Sequence, residues 1–189
     1  MTDVNIMTVI DTKAIYDDHK SEIPDHNDPR AEPIGLGSGA PYIYMVCDNA
    51  YAFEGEGTSE LTVKVNSGDD LRWRFVPFDY GQELSIIVVD FPHSYDADGY
   101  AKPDDYLNPY PPKYTQNTLN VYHPRDASRL DSDYDPSQIV DGYFQSNVKT
   151  EPPVGSSPAK ICYQCKFLLV DRLGLKQGCY SWDPFIRVI

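Results

Sequence analysis

A chain of 189 residues with 41% hydrophobic residues has material for one well-packed core and too little for two large ones. Its formal net charge of −13 repels phosphate backbones and anionic headgroups, so neither nucleic acid nor a membrane surface is expected as a partner. The 15 Tyr and 16 Pro favour strands, half-wet surfaces and turns over long helices.

Residues 1–10 carry Asp3 and lack a cationic start followed by an apolar run, so no signal peptide is read there and a cytoplasmic location is expected. Residues 4–10 are rich in β-branched side chains and predict an opening strand. Residues 11–16 read as a turn or short helix. From 17 to 40 the text shifts to His, Asp, Pro and Gly, punctuated by Pro24, Pro29 and Pro33, and predicts a long loop. Residues 42–47 form a second strand, and 49–57 a turn ending in Gly55-Glu56-Gly57.

The clearest alternation comes next. Leu61, Val63 and Val65 alternate with polar residues, and Leu71, Trp73 and Phe75 alternate with Arg72 and Arg74. The Gly68-Asp69 turn between them predicts a hairpin or a sandwich corner. Residues 83–91 predict a strand with a buried middle, Ile86 to Val89. Residues 92–158 read as mainly irregular, with short strands at 119–122 and 139–146. The chain closes with a strand at 160–170, a turn at 171–174 and a final strand or tail over 180–189. Short strands joined by Gly/Pro turns predict an all-β fold. The expected architecture is a single-domain antiparallel β-sandwich over residues 1–189, with long irregular loop insertions at 17–40 and 92–158.

Candidate chemistry is sparse. Cys162 and Cys165 have the C-x-x-C spacing of redox and zinc sites, but residues three apart on a strand point to opposite faces. No His follows Cys165, and Cys47, Cys162, Cys165 and Cys179 read as reduced structural thiols. Copper needs converging His and Cys, yet none of His19, His26, His93 and His123 follows Cys179. Asp96 and Asp98, and Asp131, Asp133 and Asp135, alternate as in calcium loops without completing that spacing, and read as solvated acidic loops. No nucleophile elbow is present. No metal, no cofactor and no enzyme activity are expected. Tyr95, Tyr100, Tyr106, Tyr110 and Tyr114 cluster in one loop region, where they either stack on a carbohydrate or small ligand or pin the loop to the sheet.

Three blocks carry a resemblance. The first runs Asp3-Val4-Asn5-Ile6-Met7-Thr8-Val9-Ile10-Asp11-Thr12. The second joins Tyr44-Met45-Val46 to Leu61-Thr62-Val63-Lys64-Val65, Gly68-Asp69 and Leu71-Arg72-Trp73. The third holds Asp171-Arg172, Gly174, Gly178, Tyr180 and Trp182-Asp183-Pro184-Phe185-Ile186. Together they resemble the AidA/PixA family of bacterial inclusion-body proteins. The resemblance implies intracellular inclusions and regulated expression, including quorum sensing, in host-associated bacteria, with no reaction attached. Three Met argue against a methionine store.

The motif residues have physical readings of their own. Gly68 supplies a positive φ, and Asp69 bonds backbone N–H groups of the turn. Trp73 anchors the core, worth about 2–3 kcal/mol by buried area. Arg72 pairs with Asp183 or another carboxylate. Tyr180 belongs to the signature, Trp182 packs, Asp183 caps or pairs, and Pro184 marks an edge or bend. These residues either hold the scaffold, or Arg72, Trp182 and Asp183 line a pocket. The predicted function is a self-associating, non-enzymatic inclusion protein that contacts its own copies through Tyr and Pro on edges and loops. The alternative is a carbohydrate- or small-ligand-binding module.

Overall fold

The alternating segments fold as strands. The structure, a computed structural model, describes residues 1–23, 32–92, 99–124 and 134–189. The first half holds β1 (Asp3–Ile10), α1 (Thr12–His19), β2 (Ile34–Gly35), β3 (Ile43–Cys47), β4 (Ala52–Glu54), β5 (Thr62–Val65), β6 (Asp70–Pro77) and β7 (Leu84–Asp90). Then come α2 (Pro103–Tyr106), β8 (Leu107–Pro124), β9 (Tyr134–Val148), β10 (Ala159–Cys162), β11 (Cys165–Asp171), β12 (Lys176–Trp182) and β13 (Phe185–Val188). They build a five-stranded sheet, β3-β1-β6-β9-β8, and two four-stranded sheets, β10-β13-β5-β4 and β2-β12-β11-β7.

β1 buries Val4, Ile6, Thr8 and Ile10 and turns the alternate residues outward, as period-2 geometry dictates. Asp11 ends the strand and starts α1, its carboxylate accepting from the Ala14 N–H at 3.0 Å. β6 buries Leu71 and Trp73, and sends Arg72 and Arg74 outward over the Tyr143 ring. The turn before it is built as its residues require. Gly68 sits at φ +89, and the Asp69 carboxylate accepts from Asn66 N at 3.0 Å and Thr2 N at 3.1 Å.

The fold is all-β, but the pairing is mixed rather than antiparallel throughout. β1 runs parallel to β6, β13 parallel to β5, and β12 parallel to β2. Alternation fixes which face a residue takes, not which strand it meets. β5 and β6 lie in different sheets, so the Gly68 turn is a corner and not a hairpin.

Three further expectations change. The segment 160–170 is two strands, not one. The chain crosses between the four-stranded sheets after Cys162, and again at Asp183-Pro184, and Tyr163 N donates to the Pro184 carbonyl at 3.1 Å where the crossings meet. β7 does not bury its middle: it is an outer strand, and Ile87 and Val89 are 47% and 45% exposed. The largest correction concerns 92–158, which is not mainly loop. β8 and β9 form one long antiparallel hairpin, paired from Leu107↔Val148 to Pro124↔Tyr134 with a register shift between Asn108 and Lys113.

One core joins the sheets. Trp73, Trp182, Tyr163, Tyr180 and Phe167 are its largest fully buried side chains. Trp73 Nε1 donates to Tyr163 Oη at 2.8 Å, and Phe75 meets Trp182 with ring centroids 6.1 Å apart. Cys165 is fully buried, and burial pushes its thiol well above the usual range.

Candidate functional site

The site begins where a ladder ends. β6 pairs with β9 only from Asp70↔Asn147 to Trp73↔Phe144. Beyond Phe144, among the described residues, β9 keeps only β8 as a strand partner, so the hairpin leaves the sheet as a two-stranded arm. A side chain takes over where backbone pairing stops. Arg74 donates Nε and Nη2 to the Asp141 carboxylate at 2.7 and 2.6 Å, and Nη1 to Asn5 Oδ1 at 2.7 Å. This guanidinium fork holds the Asp141 carboxyl below its ordinary value.

Two surfaces follow. The first is an open groove of about 490 Å³ between β7 and the base of the arm, lined by Trp73, Phe75, Ile86, Val88, Tyr114 and Phe144. Tyr114 lies across Gly142 on the neighbouring strand, where an added Cβ would stand 2.3 Å from the phenol oxygen. Glycine thus makes the bed for the ring. Its mainly apolar lining suits side chains from an extended segment, with the Tyr114 phenol as its polar group. The second surface is the arm, which exposes Leu119, Tyr122, Ile139 and Val140 by 44 to 67%. Among the described residues no further layer covers these side chains.

The residues singled out in the sequence scatter. Arg72 pairs with Asp3 on the outer face, not with Asp183, and Trp182 is in the core, so Arg72, Trp182 and Asp183 share no pocket. Trp182 Nε1 and Tyr180 Oη are buried without a hydrogen-bond partner among the described residues, and burial raises the Tyr180 phenol to about 12. Asp183 is exposed and Pro184 buried at the bend. Tyr100 stacks on Phe185 at 5.7 Å, Tyr106 packs half-buried on the core, and Tyr110 donates to the Pro92 carbonyl at 3.0 Å. Tyr114 alone of these lines the groove. Tyr95, Asp96, Asp98, Asp131, Asp133, His26 and His93 lie outside the described residues. Among the described residues no cluster of three metal-ligating side chains forms, and no helix is long and apolar enough to cross a membrane.

Sequence reasoning did not single out Ile86, Val88, Phe144 or Gly142 as site residues, and read only parts of the arm as strand, at 119–122 and 139–146. One signal was present. Residues 114–122 and 136–140 hold no charged side chain, in a chain that is 24% charged.

The comparisons with known proteins agree on one family. The model of PixA, inclusion body protein, matches residues 2–188. A crystal structure of an inclusion body protein (PixA) from Burkholderia cenocepacia J2315 superposes with a TM-score of 0.64 at 18% identity, covering 100% of this chain and 96% of that one. No curated protein matches the chain.

Proposed function

The chain belongs to the PixA inclusion body protein family, and from that premise we propose that it is a non-enzymatic building block of cytoplasmic inclusions that associates with its own copies. The observation that carries this reading is the arm, an apolar-decorated pair of strands that no layer covers among the described residues. The regulated, quorum-sensing or host-associated expression implied by the family resemblance belongs to the same reading, because an assembling protein is useful only when it accumulates on demand. A carbohydrate-binding module would need the loop tyrosines on one open face. Tyr100 and Tyr110 are instead engaged by Phe185 and the Pro92 carbonyl.

The test is sedimentation velocity across rising protein concentration, at pH 7 and nearer the sequence pI of about 4.5. Self-repulsion from the net charge of −13 falls as pH falls or salt rises. Larger species growing with concentration and with reduced repulsion are expected. Monomers at every concentration, pH and salt level refute the reading.

A further inference from the structure

We propose that two copies pair edge to edge through β8, antiparallel, about a two-fold axis at Thr118. The proposal rests on the self-association reading above and names its interface.

The free edge comes first. β8 ends the five-stranded sheet, and among the described residues no strand covers its outer side. Natural sheets protect such edges with charge, proline or a covering segment. Other edges here carry that protection. On β3, Met45 bonds to Thr58 and Gly57 through its N–H and carbonyl. β10 meets Ala101 in a bridge at Ile161, and β2 spans two residues. The free side of β9 along the arm carries Asp135, Pro136 and Asp141. β8 has no such residue between Tyr114 and Tyr122. Of the remaining edges among the described residues, β4 spans three residues and ends in Glu54, and β7 is shorter than β8, with Glu83 and Asp90 at its ends, so two acidic copies meeting there bring like charges together.

The partner is written in the order of side chains. An isologous interface must be complementary to itself. Antiparallel pairing centred on Thr118 sets Tyr114 against Tyr122, Gln116 against Asn120, and Thr118 against its own copy on one face. On the other face Thr115 meets Val121, and Asn117 meets Leu119. Aromatic, amide and threonine pairs of this kind favour strand pairing. The zone is closed symmetrically: Lys113 falls opposite His123, and Pro112 opposite Pro124, where the missing N–H ends a ladder. The stretch spans about 30 Å at ~3.4 Å per residue. Its neutrality matters most for a partner that also carries −13, because a second copy can approach closely where neither presents charge.

Single cysteines test the register. Thr118→Cys places two thiols directly opposite across the axis, within disulfide reach. Gln116→Cys sets its own copies about 14 Å apart, four residues out of step at ~3.4 Å each. Under mild oxidation, Thr118→Cys is expected to form a covalent dimer well above the wild-type background. Gln116→Cys and Asn120→Cys alone stay at background, and their mixture cross-links. Thr118→Lys, with its fold checked by circular dichroism, should weaken association at least tenfold. Equal cross-linking of Thr118→Cys and Gln116→Cys overturns the register. Multimers of wild type that Thr118→Lys leaves intact overturn the β8 interface while self-association stands. Wild-type monomers under all conditions overturn both.

Discussion

Removing one hydroxyl tests how the sheets are held together. Trp73 belongs to the five-stranded sheet, and Tyr163 sits where the chain crosses between the other two. Their hydrogen bond, 2.8 Å long and fully buried, links residues 90 positions apart. Tyr163→Phe keeps the ring, and with it the edge contact at 5.6 Å between centroids. It leaves the indole N–H in a dry interior with no acceptor. An unpaired buried donor costs about 1–3 kcal/mol. In a chain of this size ~1 kcal/mol moves Tm by about 2–4 °C, so a fall of roughly 2–12 °C is expected. Burial pushes the Tyr163 phenol well above its ordinary value, so it stays protonated and the loss should not vary across the neutral range. Urea unfolding followed by tryptophan fluorescence should show a lower midpoint at unchanged m. Trp182 is the control. Its Nε1 has no partner among the described residues, so Trp182→Phe removes area and relieves an unsatisfied donor, and should cost less than Trp73→Phe, which strands the Tyr163 hydroxyl. Tyr163→Phe within about 0.5 kcal/mol of wild type refutes the reasoning, because surface substitutions are as mild as that.

Two glycines should respond oppositely to alanine. Gly178 lies at φ +141 and its added Cβ would stand 2.6–2.8 Å from the buried Tyr180 ring, so Gly178→Ala should lose at least about 2 kcal/mol by thermal melt, while Gly142→Ala meets only the exposed end of Tyr114 and should cost little while displacing that ring. Asp141→Asn removes the partner of the Arg74 fork, with an expected loss of about 1–3 kcal/mol at neutral pH. Because Arg74 lowers the folded-state pKa of Asp141, this stability is present above the unfolded carboxylate value and disappears as pH falls through the lowered one; urea midpoints of wild type and variant should therefore converge in acid.

The strands that read well from the sequence bury one face and expose the other. β1, β3 and β6 alternate because water and core impose period 2 on them; β5 buries Thr62 as well as Val63 and Val65, and the boundaries of all four hold to a residue or two. The arm could not be read that way. Both its faces meet solvent, so Thr, Asn and Gln fill positions that a core would reserve for Val and Leu, and the periodic signal vanishes. β7 misled in the other direction: Ile86-Ile87-Val88-Val89 has the composition of a central strand, and only the tertiary arrangement leaves it outermost. Parallel pairing of β1 with β6 and the sheet change at Pro184 are likewise long-range facts. The turn motif was legible because its chemistry is local: Gly68 needs its positive φ, and Asp69 bonds a backbone N–H three residues back.

The acidic body and the neutral edge act at different ranges. At physiological salt, repulsion between exposed charges fades over a Debye length of about 8 Å. Neighbouring strands sit at about 4.8 Å, well inside it. Copies of a −13 chain in dilute solution therefore repel before β8 edges can meet. Salt shortens the reach of that repulsion and acid lowers the charge behind it, and neither touches the uncharged stretch from Tyr114 to Tyr122. The charge thus sets when copies meet, and the edge sets how they meet. Adding negative charge far from the arm should raise the threshold for assembly and leave the Thr118→Cys cross-link register unchanged.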